Sequence, residues 1–268
     1  FYPGIGELGN AVSVYSNGST SGTTETAIEG YFFRGNYSYD NRYSASISYR
    51  YDGASQFAYD KWGHFWSVGG AWRISEEDWF NKNTVNNLKL RASFGSLGNQ
   101  NVTAYQFVRK VTVEDFKGYN FGESSTVSKY SSLSAPNAGD LTWETSQQYN
   151  VGIDAGLFKD KLTFTAEGYI RDTKNMLTAG VALPSVYGAS EPKMNSADLR
   201  TRGYELSINW RDQFDLFGKA FGYNVGATLS DYKTVITKYD NKEMTFAKDY
   251  YVGMELGEIW GFVVDGLF

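Results

Sequence analysis

A two-residue alternation that persists over long segments constrains this chain most. From Tyr43 to Tyr51, Tyr43, Ala45, Ile47, Tyr49 and Tyr51 share one parity, and Ser44, Ser46, Ser48 and Arg50 share the other. Successive side chains of a strand point to opposite faces, so the pattern predicts a strand with one apolar and one polar face. Upstream, Tyr31, Phe33, Tyr37 and Tyr39 alternate with Phe32, Arg34, Asn36 and Ser38. Asp40-Asn41-Arg42 between the two runs predicts a hairpin turn. The alternation returns in Trp66–Ile74, Leu88–Gly95, Gln148–Leu157, Leu162–Glu167, Tyr204–Arg211 and Phe221–Ser230. No amphipathic helix competes with it, beyond a single turn around Glu76–Phe80.

About eight strands of roughly 9–14 residues result, where globular strands usually run about 5–6. A tilted strand that crosses a bilayer needs about 9–11. The polar parity carries Arg, Asp, Glu and Asn beside many Ser, Thr and Gly, which suits a wide, wet lumen better than a packed interior. Mean hydropathy is −0.43 and no apolar run reaches transmembrane-helix length, but barrel strands escape such windows. The absence of Cys removes disulfides, thiolate metal sites and thiol nucleophiles, and one His leaves any Ser-His-Asp reading dependent on His64. With 25 basic and 30 acidic residues and no basic block, a nucleic-acid partner is not expected.

The connections test this independently, because membrane barrels keep short turns on the periplasmic side and long loops outside. Asp40–Arg42 is short, Gly53–Gly63 and Glu76–Asn87 are medium, and Gly98–Thr145 is very long. Lys159–Lys161 is short, Thr173–Thr201 long, Asp212–Lys219 short to medium, and a long segment follows Leu229. This alternation makes the first strand run inward, with residues 1–25 as an outer loop segment and outer loops near 98–145, 173–201 and 231–255. Ile259–Val264 predicts a ninth, inward-running strand. An odd count and an outer N-terminal end predict an arc of a larger barrel, since bacterial single-chain barrels have even counts.

Specific strings then matter. Arg50-Tyr51-Asp52-Gly53-Ala54-Ser55-Gln56-Phe57 resembles the R-x-D-G-S-S-x-F string of SusC/RagA-type TonB-dependent outer-membrane transporters. Trp62-Gly63-His64-Phe65 and Ala71-Trp72-Arg73-Ile74 are similar to the segments that follow it there. Leu88-Lys89-Leu90-Arg91-Ala92-Ser93-Phe94-Gly95 with Gly98-Asn99-Gln100 resembles L-K-L-R-x-S-x-G-x-x-G-N-Q. Leu141–Glu144, Asn150–Asp154, Gly203-Tyr204-Glu205 and Ile259-Trp260-Gly261 continue in the same order. Ala54, Trp66 and Asn195-Ser196 depart from the pattern.

The resemblance implies an all-β, antiparallel transmembrane barrel of about 22 strands, of which residues 26–268 form roughly eight or nine, with the N-terminal plug absent. It implies a bacterial outer-membrane location amid lipid, TonB coupling through the missing part, a SusD-like lipoprotein outside, and oligosaccharide or peptide cargo. Neither cofactor nor catalysis is expected. A complete small barrel with an adhesive or structural role and a soluble carbohydrate-binding β-sandwich are the alternatives.

Each candidate residue carries two readings. Phe57, Tyr59 and Trp62 could stack on cargo, but the plainer role is the aromatic girdle of a membrane protein. Tyr119, Tyr130 and Tyr187 lie deep in long loops, where they could meet cargo or the lipoprotein. Arg34, Arg50, Asp52, Arg91, Asp154, Glu167 and Arg171 fall on or near lumen parity, where they steer cargo or simply pair across strands. His64 lacks visible catalytic partners, and Glu76-Glu77-Asp78 reads as a solvated turn rather than an acid/base pair. Gly4–Gly9 matches G-x-G-x-x-G without the strand and helix a dinucleotide site requires.

Overall fold

A computed structural model describes residues 23–114, 129–134, 141–179, 184, 186, 188, 191–241, 250–261 and 266. Eight strands form one antiparallel sheet: β1 (Ile28–Tyr39), β2 (Tyr43–Ala54), β3 (Trp62–Arg73), β4 (Val85–Asn99), β7 (Glu144–Leu157), β8 (Leu162–Ala179), β9 (Lys193–Leu216) and β10 (Lys219–Lys238). They lie in chain order, each hydrogen-bonded to the next, and the sheet is open: β1 and β10 do not pair. A separate hairpin, β5 (Val111–Glu114) with β6 (Tyr130–Leu133), sits inside the longest connection. The sequence reading missed it, because four-residue strands carry too little alternation to register.

Register converts the alternation of each strand into two continuous faces. Tyr37, Ala45, Gly70, Ala92, Val151, Gly168 and Tyr204 stand in one row on the apolar face. One residue along, Asn36, Ser46, Gly69, Ser93, Asn150, Tyr169 and Gly203 stand in one row on the polar face. A one-residue slip at any strand pair would put a polar row among apolar ones, so the pattern excludes odd slips and leaves the choice among even ones to the turns and contacts. On β2 the apolar row runs from Tyr43 to Tyr51, about 25–30 Å of strand at about 3.3 Å per residue.

Short and long connections alternate with one exception. At one end the links are Asp40–Arg42, the segment after β3, Phe158–Lys161 and Phe217-Gly218; the connections at the other end are longer, except that residues 55–61 between β2 and β3 are fewer than residues 74–84 between β3 and β4. Three short turns use left-handed backbone: Asp40 and Asn41 (φ 48° and 53°), Phe217 and Gly218 (53° and 75°), and Phe158, Lys159 and Asp160 (54°, 60° and 60°). Phe217-Gly218 is a two-residue loop, and consecutive positive φ values are what such a hairpin needs to match the strand twist. The turn foreseen near Glu76 is a 3-10 turn at Ile74–Glu76.

Two expectations need amendment. Residues 258–261 are not in a strand, and 262–265 lie outside the described residues; pairing on β10 instead falls earlier, at Val235 and Glu255, with Ile236 and Thr234 bonded to Gly253, Met254 and Leu256. β9 is also far longer than its dyad core, at 24 residues, or about 80 Å when extended. It therefore projects beyond any bilayer. Nor do the described residues stack a second sheet on the first, as a sandwich would.

Candidate functional site

The polar face is the first candidate surface. Arg34, Arg50, Asp52, Arg91 and Glu167 all lie on it, as their parity predicts. Arg91 is its hub. Its guanidinium donates to Glu167 Oε2 at 2.6 Å and reaches Asp154 Oδ2 at 3.4 Å, while Lys89 stands 4.0 Å from the same Asp154. The Arg91–Glu167 contact skips a strand, passing from β4 over β7 to β8. Gly152 of β7 makes it possible, since a Cβ there would lie 2.8 Å from Arg91 Cζ. Beyond Glu167, Glu205 faces it directly on β9.

Nearer the long-loop end side-chain hydrogen bonds link the face. Arg171 Nε donates to Gln148 Oε1 (3.1 Å), Gln148 Nε2 to Asn150 Oδ1 (2.9 Å), and Asn150 Nδ2 to Ser93 Oγ (3.3 Å). Ser48 and Ser67 hydroxyls meet at 2.6 Å. A shallow recess of about 420 Å³ is lined here by Asn36, Ser44, Ser46, Gly69, Ser93 and Asn150. Arg50 closes a two-point ion pair on Asp52 (3.0 and 3.1 Å), which lies against Gly30 where a Cβ would collide with it. Arg34 makes no ion pair among the described residues. Wet ion pairs of this kind contribute about 0–1 kcal/mol each, so they arrange the wall more than they hold it.

The second candidate surface is the rim at the long-loop end. Ala54, Phe57, Phe65, Val102, Leu141 and Trp143 form a buried cluster there, with Leu177 against it. Trp143 is its centre: its ring lies 5.1 Å from both Phe57 and Phe65, and its Nε1 donates to the Lys61 carbonyl at 3.1 Å. Phe65 lies flat over Gly63 and Gly98, which leave it room. Asn195 clamps the approach to β7, accepting from the Thr142 N–H and donating to the Thr142 and Asn175 carbonyls. Sequence reasoning noted Asn195 only as a departure, and it overlooked Trp143 and Asn175 as builders of the rim. Their one local signal was a lone Trp before a strand.

The aromatic candidates separate. Phe57 is 0 % exposed inside the cluster, so it presents no ring face to a cargo. Trp62 lies on the apolar face, stacked on Tyr51 at 4.7 Å, which is the girdle position. Tyr59 is 76 % exposed in the connection from β2 to β3. Tyr119 and Tyr187 lie outside the described residues, as do Gly4–Gly9. His64 stands on the apolar face, stacked on Tyr51 at 4.5 Å, with its Nδ1 2.6 Å from the Tyr49 hydroxyl. The acidic turn staples strands: Glu77 accepts from Tyr43 (2.6 Å), Trp72 (2.9 Å) and Arg42 (3.3 Å), Asp78 pairs with Arg42, and Glu76 with Lys82. The hydrogen bonds from Tyr43 and Trp72 hold the Glu77 carboxyl below the usual glutamate range. Among the described residues no group of three or more His, Cys, Asp and Glu could hold a metal ion.

One sheet with an apolar face, a polar face, aromatic margins and sided connections defines a transmembrane barrel wall. The family model of the TonB-dependent receptor-like β-barrel matches residues 2–265, and the chain belongs to that family. The TonB-dependent receptor SusC of Bacteroides thetaiotaomicron is 31% identical over 240 residues, 87% of this chain and 23% of SusC. A TonB-dependent receptor of Formosa agariphila is 34% identical over 203 residues, 74% of this chain and 19% of that protein. Among solved structures, the RagAB peptide importer in its closed-closed state matches with a TM-score of 0.73 and 26% identity, over 86% of this chain and 25% of that one. The chain thus spans about a fifth to a quarter of the relatives it matches. It is a SusC/RagA-type arc of an outer-membrane barrel.

Proposed function

We propose that the whole protein imports oligosaccharides or peptides across the outer membrane, is loaded outside by a SusD-like lipoprotein, and is driven through the TonB system. Within it these residues are wall and outer loops, and no bond is made or broken on them. The observation that carries this reading is the hydrogen-bonding lumen face, continuous from β4 to β8 through Ser93, Asn150, Gln148 and Arg171. Such a surface replaces the hydration of a passing polar solute without gripping it, which conduction requires. The likeness to the RagAB peptide importer supports import.

Tyr59 is the aromatic best placed to meet cargo, and Arg34, which makes no ion pair among the described residues, is the charge best placed to steer it. Tyr119 and Tyr187 stay candidates for cargo or lipoprotein contact. A strain lacking the full-length gene, fed labelled oligosaccharides and oligopeptides in turn, tests the reading. One class should fail to accumulate, return with the complementing gene, and stop when a protonophore collapses the inner-membrane gradient. Normal uptake of both classes in the deletion strain, or uptake indifferent to the protonophore, would overturn it.

A further inference from the structure

We infer that the outer margin of the membrane face binds the phosphorylated headgroup of an outer-leaflet lipid, centred on Arg202 and Lys233. The inference rests on the sidedness of the wall and is independent of cargo. On β8, β9 and β10 the membrane-facing row ends at Ile170, Tyr204 and Leu229. The next residues of that parity are Asp172 and Lys174, then Arg202 and Arg200, then Asp231 and Lys233. Register places Arg202 directly opposite Lys233, with Ile170 on its other side. Like charges directly opposite weaken a strand pair, so something must offset them.

The protein offsets them only in part. Asp172 is occupied by the Arg200 fork, at 2.6 and 2.9 Å. Lys233 reaches Glu255, and Asp231 stands diagonal to Arg202 while accepting the Tyr232 N–H. Arg202 and Lys174 are exposed and make no hydrogen bond or ion pair among the described residues. The patch is local: the outer margin of β1 to β4 carries Glu29, Trp62, His64 and Ser96 on the same parity, with no cation.

Position and charge together name the occupant. A group bound here stands at the level where apolar side chains give way to charged ones, on the bilayer side and at the outer end. Its acyl chains would lie along Ile170, Leu206 and Leu229, and its phosphate would sit between a guanidinium and an ammonium, the donors that pair best with phosphate oxygens. That is a phosphorylated glucosamine lipid of the outer leaflet.

The test uses the full-length protein, extracted from its own outer membrane in mild detergent. Phosphorylated glucosamine lipid retained per barrel is counted by native mass spectrometry. The R202Q/K233Q variant should retain at least threefold less and D231N more, with folding checked by heat-modifiable gel mobility and cargo uptake unchanged. If the double variant fails to fold, the single variants R202Q and K233Q are read instead. Undiminished retention in folded variants overturns the site. Equal competition by phosphatidylglycerol overturns the choice of an outer-leaflet lipid.

Discussion

At the residue scale, glycine decides where large side chains can lie across this wall. Gly152 lets Arg91 cross β7 to Glu167, and Gly203 sits under the Tyr169 ring, 2.6 Å from where its Cβ would be. Gly168, by contrast, faces open space. Gly152→Val should therefore cost about 1–3 kcal/mol, as overpacking does, while Gly168→Val stays near neutral; urea midpoints of the folded barrel in detergent compare them. Glu77 gives a pH prediction. Its folded value is depressed by Tyr43 and Trp72, so its contribution is present above the ordinary glutamate value and is lost as pH falls through the depressed one. Glu77→Gln should flatten that part of the acid limb of stability against pH. None of these pairings was legible in the sequence. Parity gave Arg91 and Glu167 a common face, but only the register put Gly152 between them.

At the element scale, the eight long strands and the Asp40–Arg42 and Lys159–Lys161 turns were legible because they are written locally. Period-2 patterning needs no distant partner, and Asp, Asn and Gly tolerate positive φ with little strain. Asn41 at φ 53° makes this testable. Asn41→Val should destabilise the β1–β2 hairpin by about 1–2 kcal/mol, because a β-branched residue resists the left-handed region, whereas Asn41→Gly should be neutral. Urea midpoints again report it. The features that escaped the reading are irregular or short. In β8 the pairing shifts between Thr173 and Met176, where Asn175 has φ 57° and its N–H donates to Asp198 at 2.9 Å. The β5–β6 hairpin has no dyad run long enough to stand out.

At the scale of the whole molecule, the sheet separates two solvents, and substitutions should feel which one they meet. Ile153 lies mid-row on the apolar face, between Leu90 and Ala166, and Thr228 lies on the lumen face opposite Ser207. Ile153→Arg should destabilise the barrel by about 2–4 kcal/mol and Thr228→Arg by less than about 1 kcal/mol, measured by urea unfolding in lipid vesicles. Equal costs would mean that the two faces do not meet different solvents, and the reverse order that they have been assigned the wrong way round. The sequence by itself determined the long strands and their two faces, because each rests on residues a few positions apart, and it determined the family through an ordered series of short strings along the chain. The tertiary structure alone decided which residues meet. It took Phe57 out of the cargo candidates by packing it on Trp143, 86 positions along, and gave Asn195 its clamp on Thr142. Contacts between loops depend on where distant strands place them, and no local pattern of residues encodes that.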